Sequence, residues 1–85
     1  MQNSPYLKRL TLGEPASYFI KVQGRLDETW SDRLAGMRIG TSGREDIEVT
    51  TLSGYVRDQA ELLGVLNSLY ELKMPLLSLE ILNRE

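Results

Sequence analysis

A chain of 85 residues with neither Cys nor His must hold its fold together without a disulfide and without the two commonest transition-metal ligands. A chain this short buries only roughly 60–65% of its unfolded surface, so its margin of stability is thin. Pairing with a second subunit is a common way to widen that margin. The same absences remove the usual general base near neutral pH and the usual thiol nucleophile. The apolar fraction of 41% is enough for a core and argues against disorder. One domain is expected, and no cofactor.

The formal net charge is -2 and the pI about 5.1. The ten Lys and Arg are scattered, with no run longer than Lys8-Arg9. Nucleic-acid binding calls for a clustered basic face, so no nucleic acid is expected as a partner. Met1-Gln2-Asn3-Ser4-Pro5 is polar, unlike a secretory signal, and no apolar run approaches the ~18–20 residues of a membrane span. The expectation is a cytoplasmic protein with no membrane partner.

Residues 1–16 read as an N-terminal arm, punctuated by Pro5, Gly13 and Pro15 and carrying Tyr6, Leu7, Leu10 and Leu12. It either packs on its own domain or docks on a partner subunit. Residues 17–85 read as a single α+β domain. Residues 17–24 alternate as a strand, with Tyr18, Ile20 and Val22 on one face and Phe19, Lys21 and Gln23 on the other. Residues 27–35 read as a short helix capped by Asp27, with Glu28 in its first turn, Trp30 and Leu34 on one face and Gly36 at its end. Residues 37–41 and 46–53 read as a hairpin around Gly40-Thr41-Ser42-Gly43-Arg44-Glu45-Asp46. In its second arm Ile47, Val49 and Thr51 share a face. The apolar phase then moves to Leu52, Gly54 and Val56, which predicts a bulge near Leu52-Ser53-Gly54. Residues 58–73 read as a helix with an Asp58/Glu61 capping box and a stripe of Leu62, Leu66 and Leu69, widened by Leu63, Tyr70 and Leu72. Gly64 inside it suggests close approach of another backbone. Pro75 ends it, and residues 76–82 read as a last strand with Leu77, Leu79 and Ile81 on one face.

This order is a ferredoxin-like βαββαβ arrangement: a four-stranded antiparallel sheet with two helices on one face. The other face is then open. The alternation assigns it Phe19, Lys21, Gln23, Arg38, Glu48, Thr50, Leu52, Leu76, Ser78 and Glu80. Phe19, Leu52 and Leu76 would form an apolar patch, and patches mark partners. A homodimer through this face, assisted by Leu7 and Leu10 of the arm, is expected; another protein is the alternative partner.

Chemistry is sparse. Asp27, Glu28 and Asp32 are explained by a capped, solvated helix start, with Arg25 and Arg33 to pair with them. Gly40-Thr41-Ser42-Gly43 is glycine-rich, but it links two strands and lacks the Lys-Ser/Thr and helix of a phosphate loop. Phe19 is the one aromatic on the open face, too few for a base-stacking surface. Trp30, Tyr55, Asp58 and Gln59 are the candidates for a small-ligand pocket, and the aromatic pair among them is equally at home in a core. Asp58 or a Tyr would be the acid–base group of a small cofactor-free enzyme, the weakest of the three functional readings.

Two resemblances bear on this. Leu26-Asp27-Glu28-Thr29-Trp30, Thr51-Leu52-Ser53-Gly54, Asp58-Gln59-Ala60-Glu61-Leu62-Leu63-Gly64-Val65-Leu66 and Pro75-Leu76-Leu77-Ser78 resemble a family of short, uncharacterised bacterial proteins over most of residues 17–80. That resemblance implies a fold and no mechanism. The stretch from Asp58 to Glu80 is similar to the ACT ligand-binding module, through Leu62-Leu63 and Leu77-Ser78-Leu79-Glu80. It departs in carrying its helix after the third strand and Ala60-Glu61 in place of Pro-Gly. It implies effector binding at a dimer interface and assigns no ligand contact. The primary expectation is a non-catalytic, homodimeric interaction or regulatory module, with an ACT-like effector-binding domain as the alternative.

Overall fold

The computed structural model describes residues 13–44 and 47–84. The N-terminal arm with Leu7 and Leu10 therefore lies outside the described residues, apart from its last positions. The elements are β1 (Ala16–Gln23), a 3-10 helix (Glu28–Arg33), β2 (Arg38–Arg44), β3 (Ile47–Val56), α1 (Gln59–Glu71) and β4 (Leu76–Arg84). The class is α+β, with one open antiparallel sheet in the strand order β2-β3-β1-β4.

Strand β1 behaves as its alternation predicts. Ala16, Tyr18, Ile20 and Val22 are buried, while Phe19, Lys21 and Gln23 take the other face. The buried set joins Leu26, Leu34, Met37, Leu52, Val56, Leu62, Val65 and Leu69 in one cluster, so both helices lie on the same side of the sheet. The tyrosine keeps its hydroxyl satisfied inside this core, because Gln59 Nε2 donates to Tyr18 Oη at 3.2 Å.

Strand β3 departs from expectation. It runs unbroken from Ile47 to Val56, and its register with β1 holds from Ala16↔Val56 to Gln23↔Val49 with no bulge. One phase therefore applies throughout. Thr50, Leu52 and Val56 face the core, and Ile47, Val49, Thr51, Ser53 and Tyr55 face away. Thr50 and Leu52, expected on the open face, are fully buried. Gly54 serves close packing rather than a bulge. Its φ is +151°, and a Cβ there would lie 3.5 Å from Met37 Cα, just before β2.

The hairpin is also tighter than predicted. Gly40-Thr41-Ser42-Gly43 is strand, paired with Thr51 through Glu48, and the pairing continues to Arg44↔Ile47. Gly43 has φ +127°, and a Cβ there would meet Ile47 O at 2.5 Å, closer than a real side chain comes.

The predicted first helix forms as a 3-10 helix. Asp27 Oδ1 accepts a hydrogen bond from Thr29 N at 3.3 Å, and Ser31 Oγ donates to Met37 O at 2.6 Å, tying the helix to the start of β2. Leu34 is fully buried and Trp30 half-buried against the core. Helix α1 is capped by Asp58, whose Oδ1 accepts from Glu61 N at 2.8 Å, while Glu61 Oε1 accepts from Arg57 N at 2.7 Å. Its buried face is Leu62, Val65 and Leu69; Leu63 and Tyr70 are exposed.

Gly64 lies on the outer side of α1, and a Cβ there would meet nothing within 4 Å. Among the described residues no second backbone approaches it, contrary to expectation. Gly64→Ala should therefore stabilise the domain by about 0.5–1 kcal/mol through helix propensity alone. For a domain of this size that raises Tm by roughly 2–8 °C. A thermal melt that shows a fall would place an unseen neighbour against this surface.

Candidate functional site

Of the predicted interface residues, Phe19, Leu52 and Leu76 do not come together. Phe19 is half-buried on the open face, opposite Ser53 on β3 and Glu80 on β4, with Lys21 Nζ 5.9 Å from its ring centroid. Leu52 is on the opposite side of the sheet, in the core. Leu76 lies on β4 opposite core-facing Val22, because the β1–β4 ladder is irregular beside Leu77. The apolar residues of β3 that share the open face with Phe19 are Ile47, Val49 and Tyr55.

The pocket candidates separate as well. Trp30 packs on the core side, with the Arg33 guanidinium 5.0 Å from its ring centroid, while Tyr55 is half-exposed on the open face. Asp58 caps α1, and Gln59 holds the Tyr18 hydroxyl. Arg25, expected to pair with the acidic cluster of the short helix, instead meets Glu48 at 3.5 Å. Both side chains are well exposed, so this pair contributes little. Among the described residues no three acidic side chains converge as a cation site.

What the structure does assemble is an apolar edge. The sheet ends on one side in β2, whose Arg38, Gly40, Thr41, Ser42 and Gly43 make it polar and unattractive to another strand. Among the described residues it ends on the other side in β4, hydrogen-bonded to β1 along one edge only. Leu76, Leu77, Leu79, Ile81 and Leu82 of β4 are all 40–58% exposed. The register shows why. Leu79 and Ile81 sit opposite Ile20 and Tyr18, on the core side, yet they stay exposed, so the helices do not reach far enough across the sheet to cover them. Sequence alternation identified Leu79 and Ile81 as core-side residues; it carried no information on how far the helix reaches across the sheet.

A family model described as a domain of unknown function (DUF8691) matches residues 17–80. The chain belongs to this family. The match opens in β1 and closes at Glu80 in β4, so it takes in the first part of the edge strand and stops before Ile81 and Leu82. No curated protein and no solved structure matches the chain. No helix among the described residues is long and apolar enough to cross a membrane.

Proposed function

We propose that this DUF8691 domain is a non-catalytic interaction module that works as a homodimer. The observation that carries the reading is the apolar surface of β4. Of the nine large hydrophobic residues exposed among the described residues, five lie on this one strand, a concentration that marks a partner site rather than scatter. The element order and strand order support a ferredoxin-like βαββαβ arrangement, a fold that leaves one sheet face and two edges available for assembly. The small core gives a further reason to pair. The site chemistry supports a binding rather than a catalytic role. Asp58, the best-placed acid–base candidate, is committed to the helix cap, and the aromatic residues expected to line a pocket lie on opposite sides of the sheet.

Light scattering coupled to size-exclusion chromatography tests this directly. A dimer mass is expected across the micromolar range. A monomer mass at every concentration, up to the solubility limit, would end the homodimer reading.

A further inference from the structure

We infer that two copies join edge to edge through β4, antiparallel about a two-fold axis at Leu79, to make one continuous eight-stranded sheet. The inference rests on the homodimer reading and specifies its geometry: edge to edge rather than open face to open face.

Three observations lead there. The outer edge of β4 presents backbone donors and acceptors with no strand beside them among the described residues. Such an edge is a template for another strand. Five of its side chains, Leu76, Leu77, Leu79, Ile81 and Leu82, are large, apolar and exposed, which is unlike a protected edge strand. And the segment Leu76-Leu77-Ser78-Leu79-Glu80-Ile81-Leu82 is palindromic in polarity about Leu79. Antiparallel self-pairing centred there sets Leu79 against Leu79, Leu77 against Ile81, Leu76 against Leu82, and Ser78 against Glu80.

The neighbouring registers fail. Centring on Glu80 opposes two like charges, which is unfavourable. Centring on Ser78 sets Glu80 against Leu76, and the half-step registers set Glu80 against Leu79 or Leu77. A self-complementary surface is what a two-fold interface requires, and it selects a second copy over an unrelated strand. The ladder to β1 is irregular beside Leu77 and Leu82, so the regular stretch is Ser78–Ile81, and the two-fold centre falls inside it.

One substitution separates fold from assembly. Ser78 lies opposite Lys21 within the chain. In Ser78→Glu the new carboxylate meets that lysine on β1, so the fold is supported. Across the proposed interface the same carboxylate meets Glu80 of the second copy, twice per dimer. The dimer dissociation constant should rise about tenfold while the circular dichroism spectrum is kept.

A second variant uses the absence of native cysteine. Leu79→Cys should cross-link to a covalent dimer under mild oxidation, since directly opposed residues have Cβ atoms about 4.5–5.5 Å apart. Phe19→Cys should not cross-link. A wild-type dimer that Ser78→Glu leaves unchanged, and that cross-links through Phe19→Cys but not Leu79→Cys, overturns the edge geometry and leaves the homodimer reading standing. A wild-type monomer removes both.

Discussion

Leu52→Ala is expected to cost about 2–5 kcal/mol of unfolding free energy, the range for truncating a fully buried Leu that neighbours cannot collapse onto. Leu52 has no exposed surface. It pairs with Ile20 on β1 and Ile39 on β2, near the middle of the sheet, under the helices. A rigid sheet gives the site little freedom to close over a cavity. With each kcal/mol worth roughly 4–8 °C in a domain of this size, Tm should fall by at least about 8 °C. If the truncated protein is too unstable to study, Leu52→Met keeps most of the volume and should cost less than about 1.5 kcal/mol. Urea unfolding gives both numbers. Were Leu52 instead on the open face of the sheet, Leu52→Ala would leave Tm nearly unchanged and alter only assembly.

This residue also shows where sequence pattern stops being informative. Strand β1 could be read because one of its faces is buried and the other carries Lys21 and Gln23. Strand β3 has apolar or β-branched residues on both faces. Ile47, Val49 and Thr51 imitate a core face, and the real one, Thr50, Leu52 and Val56, looks like a change of phase. A bulge accounts for such a pattern as well as a continuous strand does; only the unbroken pairing with β1 and β2 decides. Gly54 adds to the ambiguity, since glycine in a strand signals either a bulge or a close approach. It is the close approach, to Met37.

Local chemistry is legible at the helix ends. The Asp27 and Asp58 caps, the turn at Gly36 and the end of α1 before Pro75 all form where side-chain hydrogen bonding and backbone preference put them. The candidate site was less legible because it depends on the offset of one element from another. Phe19 was found on the open face. The β4 apolar residues read as a strand, but their exposure depends on how far the helices reach across the sheet, and no periodicity within β4 encodes that. The palindrome around Leu79 is visible in the sequence, yet it means something only once β4 is known to be an edge.

Thr50→Val is expected to cost more than Thr50→Ser, the reverse of what apolar burial alone would give. Thr50 is the one fully buried polar side chain among the described residues. Its Oγ1 donates to Gly24 O at 2.7 Å and accepts from Leu26 N at 3.1 Å. One hydroxyl thus satisfies both backbone groups of the turn that leaves β1 and delivers the short helix to the core. Together with the hydrogen bond from Gly24 N to Glu48 O, at 2.8 Å, it pins that turn to β3. Valine keeps the shape and removes the hydroxyl, stranding a buried N–H at a cost of about 1–3 kcal/mol. Serine keeps both hydrogen bonds and loses one methyl group, worth about 0.8 kcal/mol. Paired urea titrations of the two variants decide the matter. A smaller loss for Thr50→Val would mean that Thr50 contributes through packing and that water takes over the turn's hydrogen bonds. The expected order, with valine the worse, would identify this hydroxyl as what sets the position of Leu26, and through it the entry of the Trp30 helix, against the sheet.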